Sequence, residues 1–123
     1  MRSKQIIYWT TTVVLCVMML FSGISYLTDA SLIEAFQHIG FPGYFRVELG
    51  IAKVLGALVL VIPAVPSKIK EWAYVGFAIT FISAAIAHIS IGDPLGAVLM
   101  PLVILLVLAF SYLYSYKLRE AKA

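Results

Sequence analysis

The chain has 123 residues, of which 63% are hydrophobic and only 12% charged, with a formal net charge of +3 and a mean hydropathy of +1.02. Soluble domains carry roughly 25% charged residues, and a chain this short has no core large enough to hide so much apolar surface from water. Composition therefore excludes a soluble domain, and the basic residues, grouped at the ends of apolar runs with no stripe of interleaved aromatics, exclude a nucleic-acid surface.

The pattern predicts an all-α, four-transmembrane-helix bundle with a short interfacial helix between helices one and two, using residues 1–123 as one membrane domain. The first helix is expected over residues 5–27. Arg2 and Lys4 precede it, as in a secretory leader, but the apolar run is longer than a leader's ~7–15 residues, so it reads as a retained helix. Tyr8, Thr12, Cys16, Met19, Gly23 and Tyr26 recur at helical spacing and share one face. That face holds the small and polar groups through which membrane helices pack; Val14, Leu15, Val17, Met18 and Leu20 are assigned to lipid. Cys16 is the only cysteine, so no intramolecular disulfide can form.

Residues 28–44 form the longest polar segment. Asp29 or Ser31 is placed to cap a helix of one or two turns, anchored at the interface by Phe36 and Ile39 and stopped by Gly40 before Pro42 and Gly43. The second membrane helix is expected over residues 44–62, closed by Pro63 and Pro66, with Ala52 and Gly56 as a small pair for close helix contact. The third is expected over residues 70–91, where Gly76, Thr80, Ala84 and His88 form a stripe of small residues ending in a histidine. Gly92, Asp93 and Pro94 make a turn, and the fourth helix follows over residues 95–116 with Pro101 near its start. Residues 117–123 are expected to be a short solvated tail.

Orientation follows from charge. Arg2, Lys4, Lys68, Lys70, Lys117, Arg119 and Lys122 fall on one side of four crossings, and Asp29, Glu34, Asp93 and Arg46 on the other. The positive-inside rule then puts both termini in the cytoplasm. Trp9, Trp72, Tyr112, Tyr114 and Tyr116 lie towards the basic ends, as an aromatic belt does.

Lys53 lies near the middle of the second apolar run. A charge at that depth costs ~2.5–3.5 kcal/mol on insertion scales, so the lysine is expected to face the bundle interior, a partner or a watery cavity. Arg46, seven residues earlier, shares its face and lies roughly 10 Å nearer the outer interface. Tyr26 and Ser25, Arg46, Glu48, His88 and Asp93 belong to the outer ends of their helices. Together they are expected to line an outward-facing polar pocket with Lys53 at its floor. Each has a plainer reading: Lys53 snorkels or is paired, Arg46 anchors, Glu48 completes an ion pair, and His88 bonds across the bundle. No metal or nucleotide motif is present, and His38 and His88 are too far apart in sequence to define a metal site. A quinone needs only an apolar slot with one or two hydrogen-bonding groups, which Lys53 and His88 can supply.

The segment from Arg46 to Gly56 (RVELGIAKVLG), Pro63, the segment from Lys70 to Phe77 (KEWAYVGF), the segment from Ser83 to His88 (SAAIAH) and Gly92–Asp93 resemble the DoxX-like family. The resemblance runs over essentially the whole chain. It implies a small four-helix membrane bundle of mostly bacterial origin. The name-giving members belong to a thiosulfate:quinone oxidoreductase, and other relatives are implicated in membrane redox complexes or in membrane-protein assembly. Two functions follow as expectations. One is an inner-membrane redox subunit binding a quinone-like molecule, with no catalytic residue of its own. The other is a non-enzymatic partner or assembly factor for another membrane protein, with structural charges. Self-association in the bilayer is compatible with either. Four crossings without an inverted repeat argue against a self-contained transporter.

Overall fold

The computed structural model describes residues 2–122. Among them lie α1 (Arg2–Thr28), α2 (Ser31–Ile39), α3 (Gly43–Val61), α4 (Ser67–Ser90) and α5 (Leu95–Lys122). α1, α4 and α5 are long and apolar enough to cross a membrane. α3 has comparable length but carries Arg46, Glu48 and Lys53. The four long helices form a ring in which α1 packs on α3 and α5, and α4 packs on α5. α3 and α4 touch less, and α2 packs against α1 and α3.

The helix ends follow local chemistry. α2 stops at Gly40, whose φ of 96° is left-handed. The Gly40 N–H bonds to Gln37 O at 3.1 Å and the Phe41 N–H to Phe36 O at 3.0 Å, closing the helix end. Phe36 and Phe41 then meet, ring centroids 6.1 Å apart. At the start of α2 the Asp29 carboxylate accepts from the Ser31 N–H at 3.0 Å and its hydroxyl at 2.8 Å. These bonds hold the Asp29 carboxyl below its ordinary range. α5 does not end at Tyr116. Lys117, Leu118, Arg119, Glu120, Ala121 and Lys122 are good helix formers with no glycine or proline among them, and the helix runs on through Lys122. Ala123 lies outside the described residues.

The core joins α1, α3, α4 and α5 through Leu15, Met19, Leu60, Phe77, Phe81 and Leu108. Tyr8, Thr12, Cys16, Met19 and Gly23 of the inward face of α1 are buried, and so is Leu15, which the sequence assigned to lipid. The helix is packed from two sides, by α3 and α5. Its buried face is therefore wider than a stripe of small residues, and Leu15 falls inside it. Val14 and Val17 are exposed as expected. Large apolar side chains such as Phe21, Val75, Leu95 and Leu106 stay on the outside, a surface suited to acyl chains and costly in water.

Buried polar groups are tied locally. Ser111 shares hydrogen bonds of 2.6 Å with Thr12 and 2.6 Å with Tyr74, linking three helices. Lys70, read from sequence as a topology charge, is buried and donates to the Leu60 carbonyl at 3.0 Å. A cation at the end of α3 satisfies a free carbonyl and opposes the negative end of the helix dipole.

α1 and α3 approach each other closely at a pair of glycines. A Cβ on Gly50 would lie 2.9 Å from Tyr26 Cβ and 3.0 Å from Gly23 O, and one on Gly23 would lie 2.8 Å from Gly50 O. The close pair is thus Gly23 with Gly50, and the expected Ala52 is exposed. Gly56 makes a separate contact, leaving room for the Phe77 ring. Gly50→Ala and Gly23→Ala are each expected to destabilise the fold by ~1–3 kcal/mol through overpacking. Gly76→Ala, with nothing within 4 Å of the added carbon, is expected to stabilise by up to ~1 kcal/mol through helix propensity. Melting temperatures in one detergent, lowered for the first two and not for the third, check the assignment.

Candidate functional site

A cavity of about 810 Å³ lies between the helices, with residues of α1, α2, α3, α4 and α5 on its wall. Its surface is mainly apolar: Phe36 and Ile39 close one end, Leu49 and Phe81 form sides, and Met100 and Pro101 the back. Pro101 has no N–H to give the Ala97 carbonyl one turn earlier, and both residues line the cavity. The polar groups on the wall are few: Ser22 and Tyr26 of α1, Lys53 of α3, and Thr80, Ser83 and His88 of α4.

The Gly23–Gly50 crossing places Lys53. Its stem passes the open side of Gly23, where a Cβ would come within 3.2 Å of Lys53 Cβ. The residue is 7% exposed. Its Nζ donates to Tyr26 OH at 2.8 Å and to Ser22 Oγ at 3.0 Å, and lies 4.0 Å from the Tyr26 ring centroid. Two hydroxyls and an aromatic face replace part of the water shell that a buried ammonium gives up. Among the described residues no carboxylate is paired with it, so the lysine does not depend on Glu48. Ser22 was not foreseen; Ser25 was grouped with Tyr26 instead. The available signal was spacing, since Ser22 lies four residues before Tyr26 on the same helix face.

Arg46 also turns towards α1, as its spacing from Lys53 predicts, but it serves a different atom. Its guanidinium donates to the Tyr26 carbonyl in the last turns of α1, where free carbonyls attract a cation. Arg46 is absent from the cavity wall, so it anchors the helix end and touches the site only through Tyr26. Glu48 is exposed on α3 and also lies off the wall.

The other polar group lies at the α2 end of the cavity. Gly92 adopts a φ of 75° after α4, and the Asp93 N–H bonds back to His88 O at 3.0 Å. This closure is the same as at Gly40. It sets the side chain beyond the glycine against the one five residues earlier, here Asp93 against His88. His88 Nδ1 lies 2.5 Å from Asp93 Oδ2. The second carboxylate oxygen meets His38 Nε2 of α2 at 2.8 Å. Asp93 thus ties α2 to the α4–α5 turn, and it reaches the cavity only through His88. His38 carried little weight in the sequence, because 55 residues separate it from Asp93 and nothing local predicts the contact. The sequence had expected one pocket holding Tyr26, Arg46, Glu48, His88, Asp93 and Lys53. The structure brings Tyr26, Lys53 and His88 to a common wall and leaves the other three off it.

The hydrogen bonds from His38 and His88 hold the Asp93 carboxyl below its ordinary range. A carboxylate with a depressed folded pKa stabilises fully above the unfolded value of ~3.9, and that contribution disappears as pH falls through the lower folded value. The melting temperature in detergent is therefore expected to drop as pH falls below about 4, the unfolded value. Asp93→Asn is expected to lose that acid-dependent step while gaining faster backbone hydrogen exchange in α2. An unchanged acid step in the variant would show that the tie contributes nothing.

No curated protein and no solved structure matches the chain at the level of significance applied. The sequence profile described as the DoxX-like family matches residues 10–111, a span from the first turns of α1 to Ser111 in α5 that contains Lys53, Tyr26, His88 and the whole cavity wall. On that match the chain belongs to the DoxX-like family.

Proposed function

We propose that the protein is a small four-crossing subunit of a bacterial inner-membrane redox system, with both termini cytoplasmic, that holds a quinone-like molecule in the cavity at Lys53. α3 is the fourth crossing. Its 19 residues extend over roughly 28 Å, close to the ~30 Å of a hydrocarbon core. Its charges fit that reading: Arg46 and Glu48 lie in its first two turns, and Lys53 turns inward.

The observation that carries the ligand is the buried ammonium at the wall of a large apolar cavity. A lysine has three N–H donors; Tyr26 and Ser22 take two, and one remains for an acceptor. A quinone carbonyl is a neutral acceptor on an apolar ring, which suits walls such as Phe36, Leu49 and Met100. The looser contact of α3 with α4 offers its hydrocarbon tail a way out to lipid.

Organic extraction of the protein purified in mild detergent is expected to yield a quinone. Lys53→Leu is expected to stay folded, since it removes a buried charge and leaves the Ser22 hydroxyl free to bond to a carbonyl of its own helix. It is expected to bind quinone at least about tenfold more weakly, the loss of one charge-assisted hydrogen bond of ~1.5–3 kcal/mol. Undiminished binding rules the lysine out as the contact. A quinone-free extract that added quinone does not titrate favours the other reading, a partner or assembly factor for membrane proteins. A reporter fused after Ala123 is expected to be cytoplasmic; periplasmic phosphatase activity from that fusion would overturn the topology.

A further inference from the structure

A second cavity, of about 250 Å³, lies at the opposite, basic end of the bundle. It is independent of the Lys53 cavity, and the proposed quinone does not use it. Its wall draws on the start of α1, the α3–α4 connection, the first turn of α4 and the last turns of α5, four segments brought together by the up-and-down packing of the helices. Three features of this pocket favour an anion. The first is a pair of cations, Lys70 and Arg119, on one small wall. Lys70 is 8% exposed, and among the described residues its ammonium makes one hydrogen bond, to Leu60 O, out of three it can donate. Secondly, Arg119 gives one nitrogen to Glu71 at 3.1 Å, but its Nε is buried without a hydrogen-bond partner among the described residues. A buried N–H left in that state is costly, and an acceptor oxygen beside it removes the cost. Thirdly, Ser67 and Ser115 add hydroxyls to the same wall. Glu71 neutralises one of the two positive charges, so the pair retains an excess of one.

The remainder of the pocket indicates how such an anion arrives. Trp9 and Tyr8 lie on the wall beside Pro63, Val65 and Leu118. Trp9, exposed near the start of α1, marks the headgroup level of a bilayer, while Tyr8 is buried beside it. The volume is below the roughly 300–1,000 Å³ of cavities that enclose a whole drug-sized ligand, so it suits a headgroup whose chains remain outside, along the apolar exterior. Basic pockets between membrane helices hold anionic lipid headgroups by the same chemistry.

We propose that this pocket binds a phosphate group, held by the Lys70 ammonium and Arg119 guanidinium, from either an anionic phospholipid or free phosphate. Bidentate or charge-assisted bonds from these donors give the site its preference for an anion over a zwitterion.

The full-length protein in neutral detergent is titrated with phosphatidylglycerol, with phosphatidylcholine of the same acyl chains, and with inorganic phosphate. Native mass spectrometry and melting temperature are the readouts. Phosphatidylglycerol is expected to bind at least about tenfold more tightly than phosphatidylcholine. Arg119→Gln is expected to abolish that preference, and Ser115→Asp, which adds a carboxylate to the wall without touching the Lys70 bond to α3, is expected to do the same. Lys68→Gln removes the same charge from an exposed position outside the pocket and is expected to leave the preference intact. Displacement of the lipid by millimolar phosphate assigns the site to the free ion, and its persistence assigns the site to the lipid; both support a phosphate site. The proposal is overturned if neither ligand binds, or if Lys68→Gln and Arg119→Gln weaken binding equally, since net charge then explains the effect.

Discussion

The backbone contact between Gly23 and Gly50 is the constraint on which the rest of the site depends. Lipid supplies no hydrophobic drive for one helix to approach another, so close packing needs residues that take up no room. A methyl group on either glycine would sit within 3.0 Å of the facing backbone. With that space open, α3 lies close enough to α1 for Lys53 to reach Tyr26 OH and Ser22 Oγ. The same approach brings Arg46 to the Tyr26 carbonyl. One tyrosine thereby receives both cations of α3, one on its hydroxyl and one on its main chain. The charges that keep α3 from reading as an ordinary apolar span are the ones that dock it.

The two ends of the bundle solve different problems. At the α2 end a few polar groups face a large apolar space. There the Asp93 carboxylate, bonded to His38 and His88, adds a polar tie to the packing of Phe36 of α2 on Tyr26. The other end of the bundle carries the start of α1 and the end of α5. Polar residues there bond in pairs and triplets, such as Thr12–Ser111–Tyr74, and Lys70 blocks the end of α3. Donor capacity is left over at both ends, at Lys53 beside the large apolar cavity and at Lys70 and Arg119 beside the small one. The larger cavity, and with it the candidate ligand site, lies beneath α2.

Much of the fold was legible residue by residue. The recurrence of Tyr8, Thr12, Cys16, Met19 and Gly23 follows the helical repeat, and those residues are buried. Gly40 and Gly92 stop helices because their left-handed backbone angles are open to glycine. Lys53 pointed inward on the cost of charge in lipid alone. The site itself was legible only in part. Tyr26, Lys53 and His88 reach the cavity wall, whereas Arg46, Glu48 and Asp93 do not. Depth along a helix can be counted from sequence; rotation about its axis relative to three neighbours cannot. Leu15 was misplaced for that reason, and Ala52 was preferred over Gly50 for the same one.

By itself the sequence determined the apolar surroundings, the helices and the stops marked by glycine or proline, though not the end of α5, because each depends on composition or on residues within a turn or two of one another. It also determined that one ammonium must be sheltered. Only the tertiary structure decided what shelters it, that His38 meets Asp93 across 55 residues, and that Lys70 and Arg119 share a pocket. Those pairings join segments far apart in the chain. They arise from the relative rotation and closeness of packed helices, which short-range patterns do not encode.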